Sequence, residues 1–500
     1  MPKYGNTDLF QLIKSLSKPE KAYVRKFAER HVIGEKNNYL KLFDAIDRQQ
    51  VYDESRLKKE AYVKQLPYLK NYLRGIILKA MQSFYAEHTT GHRIRRMMDD
   101  AWFLYRKRLY GQCNETLEKV KKAAGGHISG TVLLDCFRLE DQLMIVSGDP
   151  SVWEKRLERN VESEKKLLED ITTYARINAL YMKVQLFSQQ HGVFLDEASK
   201  AALRKEVMLP LLALEKKTTG PRSRLLLHHT LTAIFSLLRD HERAYRHCHQ
   251  LLDAIDYFPD YSAENPMFYA GALGNLGQMC AELGKYGEGL QIVSRLQKLK
   301  AKQPEEVWNI FFFGLRLELT LYFTSGNYEE GTRTFARNYE PLRKRITENF
   351  SVQFAVPYVY AILSNGNLGK YKEGLRLINE LFSLSKLDPE EWTGYLLYHL
   401  QIIFLHELKQ DTSSFIRNLQ RKIKETDSPG SIVLDYISKT WKTDSAHEQK
   451  QLAKNSLARM KKEAAGAAPV EYFDMYAWLE SKADGSSFAE RMKKRKKKIR

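Results

Sequence analysis

Two glycine-spaced segments are the part of this sequence that comes closest to a phosphate-binding loop. Gly284 and Gly289 enclose four residues, and so do Gly326 and Gly331. A phosphate-binding loop also needs a Lys followed by Ser or Thr, placed between a strand and a helix. Leu-Gln and Thr-Arg follow the closing glycines here, and the surrounding sequence has helical periodicity. We therefore expect no nucleotide site and no cofactor.

Histidines form the second group of residues that could do chemistry. His406-Glu407 begins like a zinc-protease motif, but residue 410 is Gln, so the second histidine ligand is absent. One neighbourhood is rich in possible metal ligands: His228, His229, His241, His247, Cys248 and His249. No two of these are four residues apart, the spacing that places two ligands on one helix face. We expect packed or solvated histidines and no metal site.

Nucleophiles and acid–base groups give no further pattern. No Ser, Cys or Thr has a general base positioned near it in sequence, and the carboxylates are scattered along charged stretches. Cys113, Cys136, Cys248 and Cys280 are far apart and form no CxxC pair, so we expect four buried cysteines in a reducing compartment. The sequence does not favour an enzyme.

Cations interleaved with aromatic residues are the remaining chemical signal. Trp102, Phe103 and Tyr105 lie between two basic groups, which are Arg93, Arg95, Arg96, Arg106, Lys107 and Arg108. Such a pattern suits nucleic acid or another acidic partner. It is equally typical of a solvated helix with an apolar core stripe, and the sequence leaves both interpretations open.

Charge is concentrated at the two ends of the chain. The formal net charge is +19, and residues 1–125 hold 26 Lys and Arg against 14 Asp and Glu. The last ten residues hold eight cations and no acid, so the stretch between is nearly neutral. The tail cations include Lys493, Lys494, Arg495, Lys496, Lys497 and Lys498. They could bind nucleic acid or an anionic membrane surface without sequence preference.

A sequence motif that occurs three times, called the phrase below, predicts the helices around these residues. Each copy has Gly, then Tyr two residues on, then Gly three residues later: Gly284, Tyr286, Gly289; Gly326, Tyr328, Gly331; and Gly369, Tyr371, Gly374. The first Gly suits a left-handed helix cap, and the Tyr is placed to staple back onto the preceding helix. The closing Gly lies within the next helix. There we expect close approach between the two helices of one hairpin.

The closing glycines recur at intervals of 42 and 43 residues, which indicates stacked helical hairpins. With Leu276-Gly277 upstream, the first copy resembles the tetratricopeptide repeat (TPR) family, and the other two keep only the turn. The resemblance implies an all-α, right-handed α-solenoid that binds a protein or peptide in its concave groove. The family's carboxylate clamp is not matched at Gly274, Arg316 and Val359, and Arg316 remains a candidate groove residue.

We expect four segments along the chain. Residues 1–90 form a basic N-terminal helical module or cap, and residues 91–427 form the TPR-like solenoid with a period of about 40–45 residues. Residues 428–486 form a C-terminal helical cap, and residues 487–500 form a disordered basic tail. Weaker copies of the phrase end at Cys113, Ala244 and Ser414, and two more hairpins near Trp153 and Ala198 would bring the total to about eight.

Composition and the chain start favour a cytoplasmic protein. No signal-like apolar segment opens the sequence, and no run approaches 18 apolar residues, so we expect no membrane span. Residues 12–21 also resemble the openings of bacterial TPR-like proteins without assigned function. The sequence thus predicts a non-enzymatic scaffold that binds a protein partner. The alternative is a nucleic-acid-associated or transcription-regulatory protein that uses the basic N-terminal module and tail.

Overall fold

A computed structural model gives the fold of the chain. It describes residues 7–30, 38–125, 130–147, 150–191, 195–301, 303–348, 352–384, 387, 392–422, 429–443, 445–463 and 473–492. Within these ranges the secondary structure is helical and contains no strand. The all-α fold predicted from sequence is therefore confirmed.

The first thirteen helices extend to residue 256. They are α1 Asp8–Ser15, α2 Lys18–Arg30, α3 Asn38–Arg48, α4 Glu54–Lys58, α5 Leu66–His88, α6 Thr90–Arg106, α7 Tyr110–Gly125, α8 Gly130–Ser147, α9 Pro150–His191, α10 Glu197–Leu203, α11 Leu209–Glu215, α12 Pro221–Leu237 and α13 His241–Asp256.

Helices α14–α26 follow. They are α14 Pro259–Glu264, α15 Pro266–Glu282, α16 Tyr286–Lys298, α17 Pro304–Thr324, α18 Tyr328–Arg337, α19 Tyr339–Glu348, α20 Val352–Asn367, α21 Tyr371–Leu384, α22 Trp392–Glu407, α23 Ser413–Lys422, α24 Pro429–Thr440, α25 Ala446–Glu463 and α26 Met475–Asp484.

The chain divides into two compact units. Unit 1 comprises Met1–Leu238, Gln250–Tyr269 and Ala301–Pro304. Unit 2 comprises Arg239–His249, Ala270–Lys300 and Glu305–Arg500. The division falls inside the segment 91–427 for which the sequence predicts one continuous solenoid.

Helices α1–α5 of unit 1 share one apolar core. Its buried residues run from Leu9 to Ala80, and Ile13, Phe43 and Leu73 are completely buried in it. A capping box starts α2, in which the Ser17 N–H donates to Glu20 Oε2 at 2.6 Å. Helices α6–α8 pack around a separate core that begins at Ile94. Residues 1–90 therefore bury their own apolar face.

Helix α9 corrects the predicted repeat count. The sequence predicts two hairpins near Trp153 and Ala198, but residues Pro150–His191 form one helix of 42 residues. No Gly or Pro interrupts 151–191, so nothing in this stretch breaks the helix. The regular 40–45-residue period does not extend through this part of the chain.

A π-helical turn, Arg204–Met208, joins α10 to α11. Pro210 follows immediately and has no N–H to donate, so the backbone widens by one residue at this point. The Leu209 N–H donates instead to the carbonyl of Arg204, five residues back.

Helices α17–α26 of unit 2 pack around one apolar cluster. It extends from Phe312 to Phe488 and includes Tyr358, Phe404 and Trp478, which are almost fully inaccessible. Helices α20 and α22 are buried along most of their length, as their near-continuous apolarity predicts. Pro357 lies inside α20.

The C-terminal segment packs on the last hairpin of unit 2. The Trp478 indole N–H donates to Glu407 Oε1 at 2.6 Å, and the rings of Phe404 and Phe473 are 6.5 Å apart. The sequence predicts that a disordered tail begins at residue 487. That start is too early, because residues 488–492 are helical and Phe488 is buried. Arg491 pairs with Glu480 at 2.9 Å. The acids of α26 thus hold the first cation of the tail.

Candidate partner-binding site in unit 2

The repeated turn positions the side chains of unit 2. Six described residues that open a copy of the phrase have positive φ: Arg108 (59°), Arg239 (58°), Gly284 (71°), Gly326 (68°), Gly369 (71°) and Lys409 (55°). Three of them are not glycine, although L side chains pay about 1–2 kcal/mol in this conformation. Six hairpins of the described chain therefore share one turn, and the turns of the other two hairpins that the sequence predicts lie outside the described residues.

Backbone hydrogen bonds explain why the turn is so regular. The N–H of Lys285 donates to Cys280 O at 2.8 Å, and that of Lys370 donates to Asn365 O at 2.8 Å. The equivalent bond at Asn327 reaches Tyr322 O at 2.7 Å. This six-to-one bond, combined with the left-handed residue before it, is the Schellman motif that ends many helices.

The phrase tyrosines reach forward along the chain. Tyr286 donates to the carbonyl of Thr324 at 3.1 Å, and Tyr328 interacts with the side chain of Asn367. Tyr371 lies beside Phe404 and near Glu407. Thr324, Asn367 and Glu407 each stand two residues before the left-handed residue of the following hairpin. The sequence predicts that these tyrosines pack back onto the preceding helix. Tyr328 does so, since its ring centre lies 5.6 Å from that of Phe323. The contacts with the following hairpin are an additional role that the sequence did not predict.

The closing glycines also face the next hairpin. A Cβ at Gly289 would lie 2.5 Å from Leu321 of α17, and one at Gly374 would lie 2.5 Å from Phe404 of α22. Close approach is as predicted, but the element approached is the first helix of the following hairpin. Gly331 has more room, since a Cβ there would lie 3.4 Å from Ser364 and 3.6 Å from Tyr322.

The sixth copy of the phrase departs from this register. Helix α23 begins at Ser413, four residues after Lys409, where the other copies begin their second helix two residues after the turn. Ser414 is consequently exposed, and the predicted small packing position there is wrong. Thr412 is the completely buried residue of this turn.

A cavity of about 210 Å³ lies among α16, α17 and α18. Its walls are mostly aliphatic and aromatic, and two amides and one carboxyl contribute. The lining residues are Leu296, Gln297, Leu299, Val307, Ile310, Phe311, Leu315, Glu318 and Asn338. Val307 is 51% exposed at the surface. An opening with apolar walls and few polar groups is the usual form of a binding pocket.

Glu318 gives the cavity its chemical character. Burial raises the pKa of this carboxyl above its usual range, while Arg337 acts in the opposite direction. The hydroxyl of Thr334 donates to Glu318 Oε1 at 3.3 Å, and Arg337 donates to the same hydroxyl at 3.0 Å. A half-buried carboxyl beside an apolar wall can accept a hydrogen bond from an amide or cationic group at the end of an apolar side chain.

Of the three clamp positions considered from sequence, only Arg316 is exposed. It lies on α17, and its charge acts on the hydroxyl of Tyr360 in α20. Val359 is buried and Gly274 is partly buried. The sequence did not single out Glu318, although a lone acid within the apolar run of α17 was a usable signal.

The basic residues of α6 are all exposed but do not form one patch. Arg93, Arg95 and Arg96 lie near the start of the helix, and Arg106, Lys107 and Arg108 lie at and just beyond its end. About 11 residues separate the groups, which corresponds to roughly 16 Å of helix. Phe103 is 59% exposed, and the Lys107 ammonium lies 5.7 Å from its ring centre. Residues 493–498 of the basic tail lie outside the described part of the chain.

His406 and the four cysteines have packing environments. His406 is ringed by Tyr436, Trp441 and Trp478, and burial lowers its pKa to about 4. Burial raises the pKa of the Cys280 thiol to about 12, which keeps it protonated. Within the described residues, no cluster of three His, Cys, Asp or Glu side chains could hold a metal ion.

Comparisons with known proteins give no family assignment. Neither the protein-family models, nor the curated proteins, nor the solved structures match this chain. Among the described helices, none has the length and apolarity needed to cross a membrane.

Proposed function

We propose that this chain is a protein-binding scaffold of TPR-like hairpins and that the cavity beside Glu318 takes one side chain of its partner. The cavity carries the proposal, because it combines apolar walls with a half-buried carboxyl at the surface of packed hairpins. The complementary group is an aliphatic or aromatic side chain that ends in a hydrogen-bond donor, as in Lys, Arg, Gln or Trp. Exposed Arg316 on the same helix would contact an acidic part of the partner.

Several features support a scaffold. The turns at Gly284, Gly326 and Gly369 are held by backbone bonds and by a tyrosine that reaches the next hairpin, which gives a rigid surface. Rigid surfaces bind with a smaller loss of conformational entropy than flexible ones. We propose further that the hairpins form a TPR-like solenoid and that the protein is cytoplasmic and has no catalytic activity.

Capture of partners on the immobilised full chain, with and without nuclease, tests the proposal. A partner bound through the cavity should resist nuclease. It should be released by Val307→Arg, which fills the opening, and weakened about tenfold by Glu318→Gln, since one hydrogen bond to a charged group contributes about 1.5–3 kcal/mol. Arg316→Glu should weaken it as well.

Glu340→Gln is the matched control, because this carboxyl is exposed on α19 and is not among the cavity residues. Equal retention of the partner by Glu318→Gln, Val307→Arg and the control would contradict the proposal. Circular dichroism of each variant separates loss of binding from loss of fold.

The alternative is nucleic-acid binding through α6 and the tail, which the exposed cations and the exposed ring of Phe103 favour. Under this alternative, nuclease releases the bound material, and affinity falls steeply with salt as counterions are displaced. Changing Arg93, Arg95 and Arg96 to Glu should then abolish capture, while Glu318→Gln should leave it unchanged.

A further inference from the structure

Helix α25 of unit 2 carries a row of lysines on its exposed side. Lys450, Lys454, Lys461 and Lys462 are all exposed. At about 100° per residue the first three fall within a sector roughly 40° wide, and Lys462 lies roughly 80° beyond it. The distance along the helix from Lys450 to Lys461 is about 17 Å at 1.5 Å per residue. We name these four residues the α25 lysine row.

The other side of α25 is packed in the core of unit 2. Ala453 and Met460 are completely buried in its apolar cluster. The Tyr476 hydroxyl donates to the carbonyl of Met460 at 3.1 Å, which joins α25 to α26. The lysine row therefore projects from a helix whose orientation is fixed by its contacts.

The charges of the lysine row are not neutralised within the described chain. Elsewhere in unit 2, exposed cations pair at helical spacing, as Arg376 does with Glu373 at 3.1 Å and Lys439 with Asp435 at 2.7 Å. No carboxylate of the described residues lies within ion-pair distance of the four lysines of the row. No Asp or Glu stands three or four residues from any of them in the sequence.

The stability of α25 does not explain where these charges lie. Lys450 and Lys454 are four residues apart, a spacing at which like charges on a helix repel. Lys461 and Lys462 lie in the last turn, where the helix dipole favours a cation, but Lys450 and Lys454 lie outside that turn. The row therefore fits an anion outside the helix better than a role in the helix itself.

The surroundings of the row add to its positive charge. Residues 446–462 contain five Lys and Arg but one acid, Glu448. A Cβ at Gly485 would lie 3.5 Å from the Nζ atom of Lys450, so the row begins beside the C-terminal end of α26. The last ten residues, which follow in the sequence, hold eight cations. The end of α26 thus connects the lysine row to the basic tail.

From this arrangement we infer that the α25 lysine row binds the phosphate backbone of a nucleic-acid duplex. A linear row of cations complements an anion with regularly spaced, fixed charges. Each strand of a duplex presents one phosphate per about 3.4 Å of axis, so a row of about 17 Å faces about five phosphates. Such contacts carry no information on base sequence, so the binding should be nonspecific. Helix α25 contributes no residue to the cavity beside Glu318, and the inference does not depend on the partner proposed there.

The residues around the row favour a duplex over other polyanions. Helices that lie on membranes insert Trp, Phe or Leu, and single strands stack their bases on aromatic rings. Residues 446–462 contain no Phe, Tyr or Trp, and Leu452 and Leu457 are only partly exposed. Gln451 and Asn455 are exposed on the same side as Lys462, and their amides can donate to phosphate oxygens.

Fluorescence anisotropy of a labelled duplex of about 20 base pairs, titrated with the full chain at about 50–200 mM salt, tests the inference. The logarithm of the binding constant should fall linearly with the logarithm of the salt concentration, by about 0.9 per phosphate neutralised. Lys450→Gln, Lys454→Gln and Lys461→Gln together should make this slope shallower by about two to three. They should also weaken binding at about 50 mM salt at least tenfold. Gln retains the helix propensity of Lys.

A second triple variant is the matched control. Lys216→Gln, Lys344→Gln and Lys372→Gln remove the same charge from exposed positions on other parts of the chain. The control should bind the duplex nearly as tightly as the natural protein and with a similar slope. Circular dichroism of both variants separates loss of binding from loss of fold.

Three outcomes would overturn the inference. The first is equal slopes and affinities for the two triple variants, which would leave binding to the tail alone. The second is failure of the natural protein to bind the duplex at about 50 mM salt, including the case in which it binds phosphatidylserine vesicles instead. The third is tighter binding of a labelled single strand of the same length than of the duplex.

Discussion

Tyr286 donates its hydroxyl hydrogen to the backbone carbonyl of Thr324, 3.1 Å away and 38 residues later in the chain. The acceptor lies in the last turn of α17, where four carbonyls have no partner within their own helix. A side chain at the start of one hairpin's second helix therefore satisfies the end of the next hairpin's first helix. The same two positions meet again at Tyr328 and Asn367.

Tyr286→Phe should remove this hydrogen bond without creating a large void. We expect the free energy of unfolding to fall by about 0.5–1.5 kcal/mol, measured by urea denaturation. Tyr257→Phe serves as the control because Tyr257 is 79% exposed. Equal stabilities of the two variants would show that the hydroxyl contributes nothing to the stacking of hairpins.

Gly289 and Gly331 occupy the same place in the repeated phrase but should respond differently to Ala. At Gly289 the new methyl group meets Leu321 at 2.5 Å, so we expect destabilisation of about 1–3 kcal/mol. At Gly331 the nearest atom is 3.4 Å away, and the higher helix propensity of Ala should leave stability unchanged or raised by up to about 1 kcal/mol.

Gly331→Leu should destabilise even at this roomier position, because its branched end has to enter the space between Tyr322 and Ser364. Thermal denaturation of the three variants decides the matter. If Gly331→Leu has the same melting temperature as the natural protein, the predicted register of the phrase is wrong.

Lys409 has a φ of 55°, a conformation in which a Cβ is strained. Lys409→Gly should relieve this strain and raise the free energy of unfolding by up to about 1 kcal/mol. The gain is reduced because glycine increases the conformational entropy of the unfolded chain. Gln291→Gly, on an exposed helical position, should lower stability by about 1 kcal/mol. If both changes lower stability alike, the turn is not strained.

Acid should destabilise unit 2 through its buried histidines. Burial lowers the pKa of His399 to about 4 from an ordinary 6.5. Above pH 6.5 the ring is neutral whether the chain is folded or unfolded, so it adds no pH dependence. As the pH falls below 6.5, only the unfolded chain takes up the proton, and stability should drop by about 2 kcal/mol at pH 5.

His406→Phe isolates one part of this effect. The pKa of His406 is also lowered to about 4, and its Nδ1 atom has no hydrogen-bond partner among the described residues. The ring lies among aromatic side chains, so Phe should be accommodated. Denaturation at several pH values should show a shallower loss of stability in acid for this variant, and an unchanged slope would contradict the assignment.

The turns could be predicted from sequence because their cause is local. A left-handed residue that follows a helix is marked by Gly at three copies, and the surrounding pattern identified Arg108, Arg239 and Lys409 as well. The destinations of Tyr286 and Gly289 could not be predicted in the same way. They depend on how one hairpin packs on another, which residue spacing does not specify.

Helix α9 shows an error of a different kind. The sequence predicts hairpins near Trp153 and Ala198, and their turns, at Gly148 and Gly192, lie outside the described residues. Residues 151–191 contain no Gly or Pro, and this absence is the better signal for one long helix. The cavity beside Glu318 could not be found at all, since three separate helices form it.

In the turns at Gly284, Gly326 and Gly369, contacts run to the hairpin that follows in the chain, so the stacking of these hairpins has a direction. Gly289 and Gly374 are covered by residues about 30 positions later, so a ribosome releases each hairpin before the residues that cover it. A hairpin at the end of a shortened chain would leave its glycine and tyrosine exposed. Asp411 stands where the last copy of the phrase would have its tyrosine, and it is exposed. The last copy of the phrase therefore has no tyrosine that could reach a following hairpin.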